Sequence, residues 1–323
     1  MSTLSSICRP AAPEIAEVAR LTAGVLAASA RFAGARRAVD PCDGGKMLRP
    51  ATLLLVGKLF DADRAAAVRL ALAVELVHAA SLIHDDVIDA SDTRRGKPTA
   101  FRRIGPADAV LLGDVIFTSA FGEVVSLRRH EFTRELARAA RDVCAGEVRQ
   151  NRSRGDFRMT LPRYSRIVTL KTASLYRACA ALGALAGGCT AAELAAARRF
   201  GHFLGLAFQA ADDLLDVTGK PEETGKPAGT DLAQGKVTLP LILHLKALSP
   251  RARRAAVAAL SSGGDTAVRA VCAALRSART VSAARRVARA HANAAVAQLD
   301  LLPAGPEKKN LAALCAFAAD RSY

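Results

Sequence analysis

Two matched acidic patterns constrain this chain more than any other feature. Asp85-Asp86-Val87-Ile88-Asp89 and Asp212-Asp213-Leu214-Leu215-Asp216 each sit inside an apolar run. Such a run is read as helical, and helical spacing of three and four residues puts the first and last carboxylates of each pattern on one face. Carboxylates gathered this way repel one another unless protons or cations intervene. All-oxygen clusters favour hard divalent ions, Mg²⁺ first where a phosphorylated substrate completes the shell. The competing reading is a pair of solvated capping or salt-bridging clusters. The matched spacing and the apolar flanks weigh against it.

Fixed cations bracket both clusters. Gly44-Gly45-Lys46-Met47-Leu48-Arg49-Pro50 precedes the first, and Arg94-Arg95-Gly96-Lys97 follows it. Lys171-Thr172 and Gln209 precede the second, and Lys226 and Lys236 follow it, with Gly219, Pro221, Gly225, Pro227 and Gly229 in the same stretch. A di- or polyphosphate bridged to carboxylates through Mg²⁺, and clamped by Arg forks and Lys point charges, uses both signs of charge. The Gly- and Pro-rich stretch suits a loop that folds over phosphate, and equally an ordinary helix connection. His78 and His84 stand beside the first cluster. His130, His202, His244 and His291 belong to no motif and read as structural.

Seven separated segments then agree in order. They are Gly44 to Pro50, Glu75 to His78 running into Ser81 to Asp89, Arg94-Arg95-Gly96, Gly113-Asp114, Lys171 to Leu175, Phe208 to Asp213 and Gly235 to Pro240. Together they resemble the polyprenyl synthetase family, the trans-isoprenyl diphosphate synthases, and most closely its octaprenyl and other long-chain members. The resemblance implies an all-α, single-domain helical bundle around a central cleft, covering 1–323. Its motif-bearing part is 44–244, residues 1–40 form an N-terminal helix region, and 250–323 form C-terminal helices.

The resemblance also implies an activity: Mg²⁺-dependent head-to-tail condensation of isopentenyl diphosphate with an allylic prenyl diphosphate, with three Mg²⁺ per substrate-bound site. It places Asp85, Asp86, Asp89, Asp212, Asp213 and Asp216 in the metal shells. Arg94, Lys171, Thr172, Gln209, Lys226 and Lys236 fall to the allylic diphosphate, and Lys46, Arg49, His78 and Arg95 to isopentenyl diphosphate. Asp85, Asp89, Lys171, Thr172, Gln209 and Asp212 are the implied catalytic set. Met47 stands where the family often has Arg, which leaves the pocket one cation short. Val77, Ala80 and Ser81, one and two turns before Asp85, are implied to set chain length. None is aromatic, which favours a medium or long product of the octaprenyl type for a quinone side chain. Phe117 and Phe121 are candidates for a plug farther along, with core packing as their other role. Geranylgeranyl or farnesyl diphosphate synthesis, and a partner-dependent subunit of a heteromeric synthase, are the alternatives. A terpene cyclase has no use for the second diphosphate site. Homodimerisation is implied by the resemblance, with 106–127 as the expected interface.

Composition agrees with an all-α chain. Ala, Leu, Val and Arg are abundant, Trp is absent and Tyr occurs 3 times in 323 residues, which favours helix over sheet. Helices are expected over Glu14–Ala33, Arg49–Leu59, Ala65–Ala90, Pro106–Leu127, Glu131–Asn151, Leu161–Ala186, Ala191–Leu215 and Thr238–Leu248, with shorter ones after Pro250. The formal charge of +16 gathers late, from Arg251 to Arg289. With few aromatics and no recognisable module there, nucleic acid is not the expected partner. A solvated basic face is favoured, and weak docking to anionic lipid is the minority reading. No stretch reads as a membrane span or secretory signal, so a cytoplasmic location is expected. The 7 cysteines have neither disulfide nor zinc spacing and read as small buried hydrophobes.

Overall fold

The computed structural model describes residues 3–32, 45–219, 228–262 and 265–320. The fold is all-α, apart from one hairpin of two-residue strands. Two compact units divide the chain: Met1–Arg141 with Leu175–Gly201 and Val296–Leu314, and Asp142–Ser174 with His202–Ala295 and Cys315–Tyr323.

The first unit is organised by α4 (Arg64–Ile88), which Asp63 starts by accepting the Ala66 N–H at 2.8 Å. Its residues from Ala67 to Leu76 are apolar almost all round except for Arg69 and Glu75, the pattern of a helix surrounded by others. It packs mainly on α5 (Ala100–Val125), and also on α2 (Ala12–Phe32) and α3 (Leu48–Leu59). Leu53, Leu55, Leu70, Leu76, Leu112 and Ile116 are fully buried there. By length and composition α4 could cross a membrane, with a mean hydropathy of 1.7 over its best window, contrary to the expectation that no stretch would qualify. That window is 72% buried among other helices, which is how a core helix passes the same test.

The second unit is built on α7 (Leu161–Val168), α10 (Thr230–Ala233), α11 (Leu239–Ala247), α12 (Pro250–Ser261) and α13 (Asp265–Leu275). Phe157, Val217, Leu232, Leu241, Leu245, Leu260 and Leu275 form one of its apolar clusters. The remaining helices are α1 (Leu4–Cys8), α6 (His130–Arg152), α8 (Ser174–Ala186), α9 (Ala191–Thr218), α14 (Ala278–Leu299) and α15 (Glu307–Ala319).

Most expected helices are present, and the differences have local causes. The expected start at Pro106 marks a true break, because Gly105 takes φ 83° and ψ 168° and splits α5 into two helical stretches. The helix expected over Leu161–Ala186 is interrupted by a π turn at Thr169–Ala173. The hairpin Thr93–Arg94 with Lys97–Pro98 and the short α1 and α10 were not expected. Of the described cysteines, Cys8, Cys179 and Cys315 are buried as expected, Cys189 and Cys272 are half-buried, and Cys144 is exposed, which corrects the uniform reading.

In the first unit α3 and α8 approach closely at paired glycines. A Cβ on Gly183 would lie 2.5 Å from the Leu53 carbonyl oxygen and 2.9 Å from the Gly57 nitrogen. Gly183→Ala is therefore expected to cost about 1–3 kcal/mol of stability. Gly24→Ala in α2, where a Cβ meets nothing within 4 Å, should be neutral or mildly stabilising. Urea unfolding of both variants reads the difference.

Candidate active site

The first acidic cluster occupies the end of α4. Asp85 lies in its last turn, and Asp89 closes the helix by donating its N–H to the Asp85 carbonyl at 2.8 Å. Both side chains are half-buried, whereas Asp86 is 3% exposed. The chain then reverses through the hairpin, whose register pairs Thr93 with Pro98 and Arg94 with Lys97. Arg95 and Gly96 at its tip have φ of 50° and 74°, the left-handed pair that a type I′ turn requires. This turn returns Arg94 to the acidic cluster. Its Nη2 donates to Asp86 Oδ1 at 2.8 Å and its Nε to both carboxylate oxygens at 3.1 Å.

The cluster is also held from α5. His84 Nε2 lies 3.4 Å from Asp114 Oδ1 and 3.1 Å from the Val110 carbonyl oxygen. Gly113 makes this fit, since a Cβ there would collide with the His84 ring. On the other side of α4, burial together with the charges of Arg49, Arg94 and Arg95 holds the His78 pKa well below the ordinary imidazole value. Three of the expected isopentenyl diphosphate residues, Arg49, His78 and Arg95, thus share one electrostatic neighbourhood. Arg49 also lies over the Tyr176 ring, 4.9 Å from its centroid. Lys46 is exposed just before α3, and Met47 is its left-handed N-cap at φ 49°. Val77 and Ala80 are fully buried, while Ser81 is half-buried and donates to the His78 carbonyl at 2.7 Å. Phe117 and Phe121 on α5 are half-buried, with ring centroids 5.3 Å apart.

The second cluster lies near the end of α9, in the second unit. Asp212 is exposed, Asp216 half-buried and Asp213 2% exposed. Asp213 accepts from Tyr164 Oη at 2.6 Å, Gln209 Nε2 at 2.8 Å and the Leu239 N–H at 3.0 Å. Burial nevertheless pushes its carboxyl up to about 7, against those donors. Tyr164 is in turn raised well above 10.0 by burial and the neighbouring Asp213 charge. Gln209 is fixed at both ends, because its Oε1 accepts from Thr172 Oγ1 at 2.7 Å. Asp216 accepts the Asp231 N–H at 3.3 Å, and burial plus the Asp231 charge push it up to about 7. Lys236 lies 3.8 Å from Asp231. Lys171, in the π turn, donates to Gln150 Oε1 at 2.8 Å and pairs with Glu147. Gly146 allows that approach, since a Cβ there would overlap the Lys171 backbone.

Asp86 and Asp213, expected in the metal shells, are both buried and engaged by hydrogen-bond donors. Lys226 lies outside the described residues. Tyr164, Gln150, Glu147 and Asp231 were missed. No spacing rule marks them, because each acts by reaching a residue far away in sequence. Among the described residues, no three His, Cys, Asp or Glu side chains converge to hold a cation by themselves. Within each unit the remaining acids, Asp85 and Asp89 in the first and Asp212 and Asp216 in the second, offer only carboxylate oxygens, and a raised Asp216 is a group that a cation would relieve. Each set has the chemistry of a hard divalent ion's ligands, with part of the shell from elsewhere.

Residues 37–276 match the family described as Polyprenyl synthetase. The chain belongs to the polyprenyl synthetase family. It is similar to heptaprenyl diphosphate synthase component 2 of Geobacillus stearothermophilus, 37% identical over 281 residues that cover 87% of each chain. It is also similar to octaprenyl diphosphate synthase of Escherichia coli K12, 36% identical over 86% of each. A crystal structure of polyprenyl synthase from Caulobacter crescentus CB15, complexed with calcium and isoprenyl diphosphate, shares the fold at a TM-score of 0.90 and 34% identity, covering 99% of this chain and 98% of that one. This polyprenyl synthetase is therefore an enzyme, a trans-prenyltransferase with the all-α fold of the isoprenoid synthases. The family's reaction is the Mg²⁺-dependent condensation of isopentenyl diphosphate with an allylic diphosphate.

The His78 environment gives a pH dependence with a definite sign. The folded pKa lies below the ordinary 6.5, so the unfolded chain takes up the proton first as pH falls. Stability due to neutral His78 is fully present above about pH 6.5 and is lost below it. The stability difference between the wild type and His78→Gln, read from urea midpoints, should narrow as pH drops through that window.

Proposed function

We propose that this enzyme is a medium- to long-chain polyprenyl diphosphate synthase of the octaprenyl type, with both compact units serving one catalytic domain. The observation that carries the reading is the two intact acidic clusters, each backed by a buried, fully engaged aspartate, within a family match of this extent. Asp85, Asp89, Asp212 and Asp216 would hold Mg²⁺, three ions per substrate-bound site. The metal supplies Lewis-acid neutralisation of the diphosphate leaving group.

The chain's own residues do the rest. Arg94, Lys171 and Lys236, with Lys226, are proposed to bind the allylic diphosphate and stabilise its growing charge. Arg94 is held by Asp86 and Lys171 by Gln150 and Glu147, so little reorganisation is needed when the anion arrives. Thr172 and Gln209, joined by a hydrogen bond from the Thr172 hydroxyl to Gln209 Oε1, are proposed to steady an allylic cation with oxygen dipoles that do not capture it. Lys46, Arg49, His78 and Arg95 are proposed to orient isopentenyl diphosphate, whose double bond attacks that cation. Transfer of a proton from the new cation to the released diphosphate then restores a double bond and completes a five-carbon extension.

Chain length is proposed to follow the small side chains of Ala80 and Ser81, with Val77 one turn behind. A quinone side-chain precursor is the matching use. Homodimerisation is supported by the exposed apolar Val110, Leu111 and Val125 on α5. A partner-dependent subunit is the second reading, favoured by the likeness to the Geobacillus heptaprenyl diphosphate synthase, whose name makes it a component 2.

Incubation with Mg²⁺, farnesyl diphosphate and labelled isopentenyl diphosphate, followed by sizing of the dephosphorylated products, tests this directly. Elongated alcohols are expected, and no incorporation by the purified chain would favour the partner-dependent reading. Asp85→Ala and Asp212→Ala should each lower turnover by about a hundredfold or more while helical circular dichroism is kept. Wild-type turnover in both would refute the metal assignment. Ala80→Phe, with Ser81→Phe as the less buried companion, should shorten the product ladder, and an unchanged ladder in both would place the floor of the tail channel elsewhere.

A further inference from the structure

In the second unit a cavity of about 680 Å³ opens between the carboxyl-terminal half of α6 and α7. Apolar Val148 and Ile167 line it, together with four arginines, Arg149, Arg152, Arg163 and Arg166. The arginines come as one pair three residues apart on each helix, a spacing that puts both members on one helix face. Arg163 donates to Asp156 Oδ2 at 2.7 Å. Arg149, Arg152 and Arg166 meet no carboxylate among the described residues. Arg149 and Arg152 fall in the last turn of α6 and Arg166 in the last turn of α7, where the helix dipole lowers the cost of a cation. That accounts for their tolerance, but not for their convergence on one apolar-walled cavity.

We propose that this cavity is an accessory site for the phosphorylated head of an amphiphile, separate from the catalytic groups. Guanidinium forks match phosphate oxygens in pairs, and three of them here are paired with no carboxylate among the described residues. The volume is that of a discrete ligand site, and the apolar wall suits the first carbons of a hydrocarbon tail. Lys171, proposed for the allylic diphosphate, is paired with Glu147 and Gln150, and none of these three lines the cavity. The same head chemistry occurs on an anionic phospholipid in a bilayer and on a soluble prenyl phosphate or diphosphate.

Octyl phosphate, titrated calorimetrically into the full chain, probes the shared chemistry. Arg149→Glu with Arg166→Glu should weaken its binding by about tenfold or more. Turnover of farnesyl and isopentenyl diphosphates should stay within about twofold of wild type, since neither residue belongs to the proposed catalytic set. Arg152→Gln, a milder change at an exposed position, should weaken binding in the same direction and guards against a folding defect. Equal octyl phosphate binding in wild type and both variants overturns the site. Flotation with vesicles of phosphatidylglycerol in phosphatidylcholine separates the sources. Flotation by the wild type and not by the double variant assigns the site to a lipid head. Octyl phosphate binding without flotation assigns it to a soluble amphiphile. Absent turnover in the wild type would count against the proposed reaction and leave the binding result standing.

Discussion

A carboxylate buried in a helical interior is the interaction on which the second unit depends. Removing Asp213 from water is costly, and three donors offset that cost: a phenol from α7, an amide from α9 and the first backbone N–H of α11. Those donors come from three separate elements, so satisfying one carboxylate fixes the mutual placement of all three. Gln209 extends the network to Thr172 in the π turn, and Asp216 extends it to the backbone of α10. The side chains proposed as catalytic in this unit are thereby set by a polar framework as much as by the apolar cluster beneath it.

The first unit solves the same problem with a charge pair. Asp86 is as buried as Asp213, but it is met by the Arg94 guanidinium, delivered by a hairpin instead of by neighbouring helices. In both units the second aspartate of the acidic pattern turns inward, while the first and last are more exposed. One short motif therefore divides its labour, with a buried anchor in the middle and, on the function proposed above, metal-binding oxygens at either side. The division follows from helical geometry, since a residue adjacent to Asp85 or Asp212 projects about 100° away from it.

The long elements were legible because they announce themselves locally. Apolar periodicity gave α2, α3, α4, α6 and α9 to within a few residues, and Pro106 marked the restart of α5. The clusters and their cationic escorts were legible as residue types at fixed spacing. What the sequence did not reveal depends on contacts at a distance. Nothing near Asp86 or Asp213 in the chain says that Arg94 and Tyr164 will claim them, so all six acids looked alike. The π turn at Thr169–Ala173 was hidden because its residues are ordinary helix formers, and such turns arise from tertiary demands on one face of a helix. Gly113 and Gly146 were visible only as small residues, although each lets a functional side chain or its backbone pass where a methyl group would block it.

The hairpin beyond α4 has a bearing on the timing of order in the site. A two-residue type I′ loop has almost no conformational slack, and its strands are too short to slide. The path from the last turn of α4 to the Arg94 backbone is thus set by the turn, and the hydrogen bonds to Asp86 hold the guanidinium at its end. The entropy lost in bringing that cation to the acidic cluster is settled when the chain folds. On the function proposed above, an anion arriving later would meet a charge that is already in position, and its binding energy could go toward bond breaking instead of toward ordering a loop.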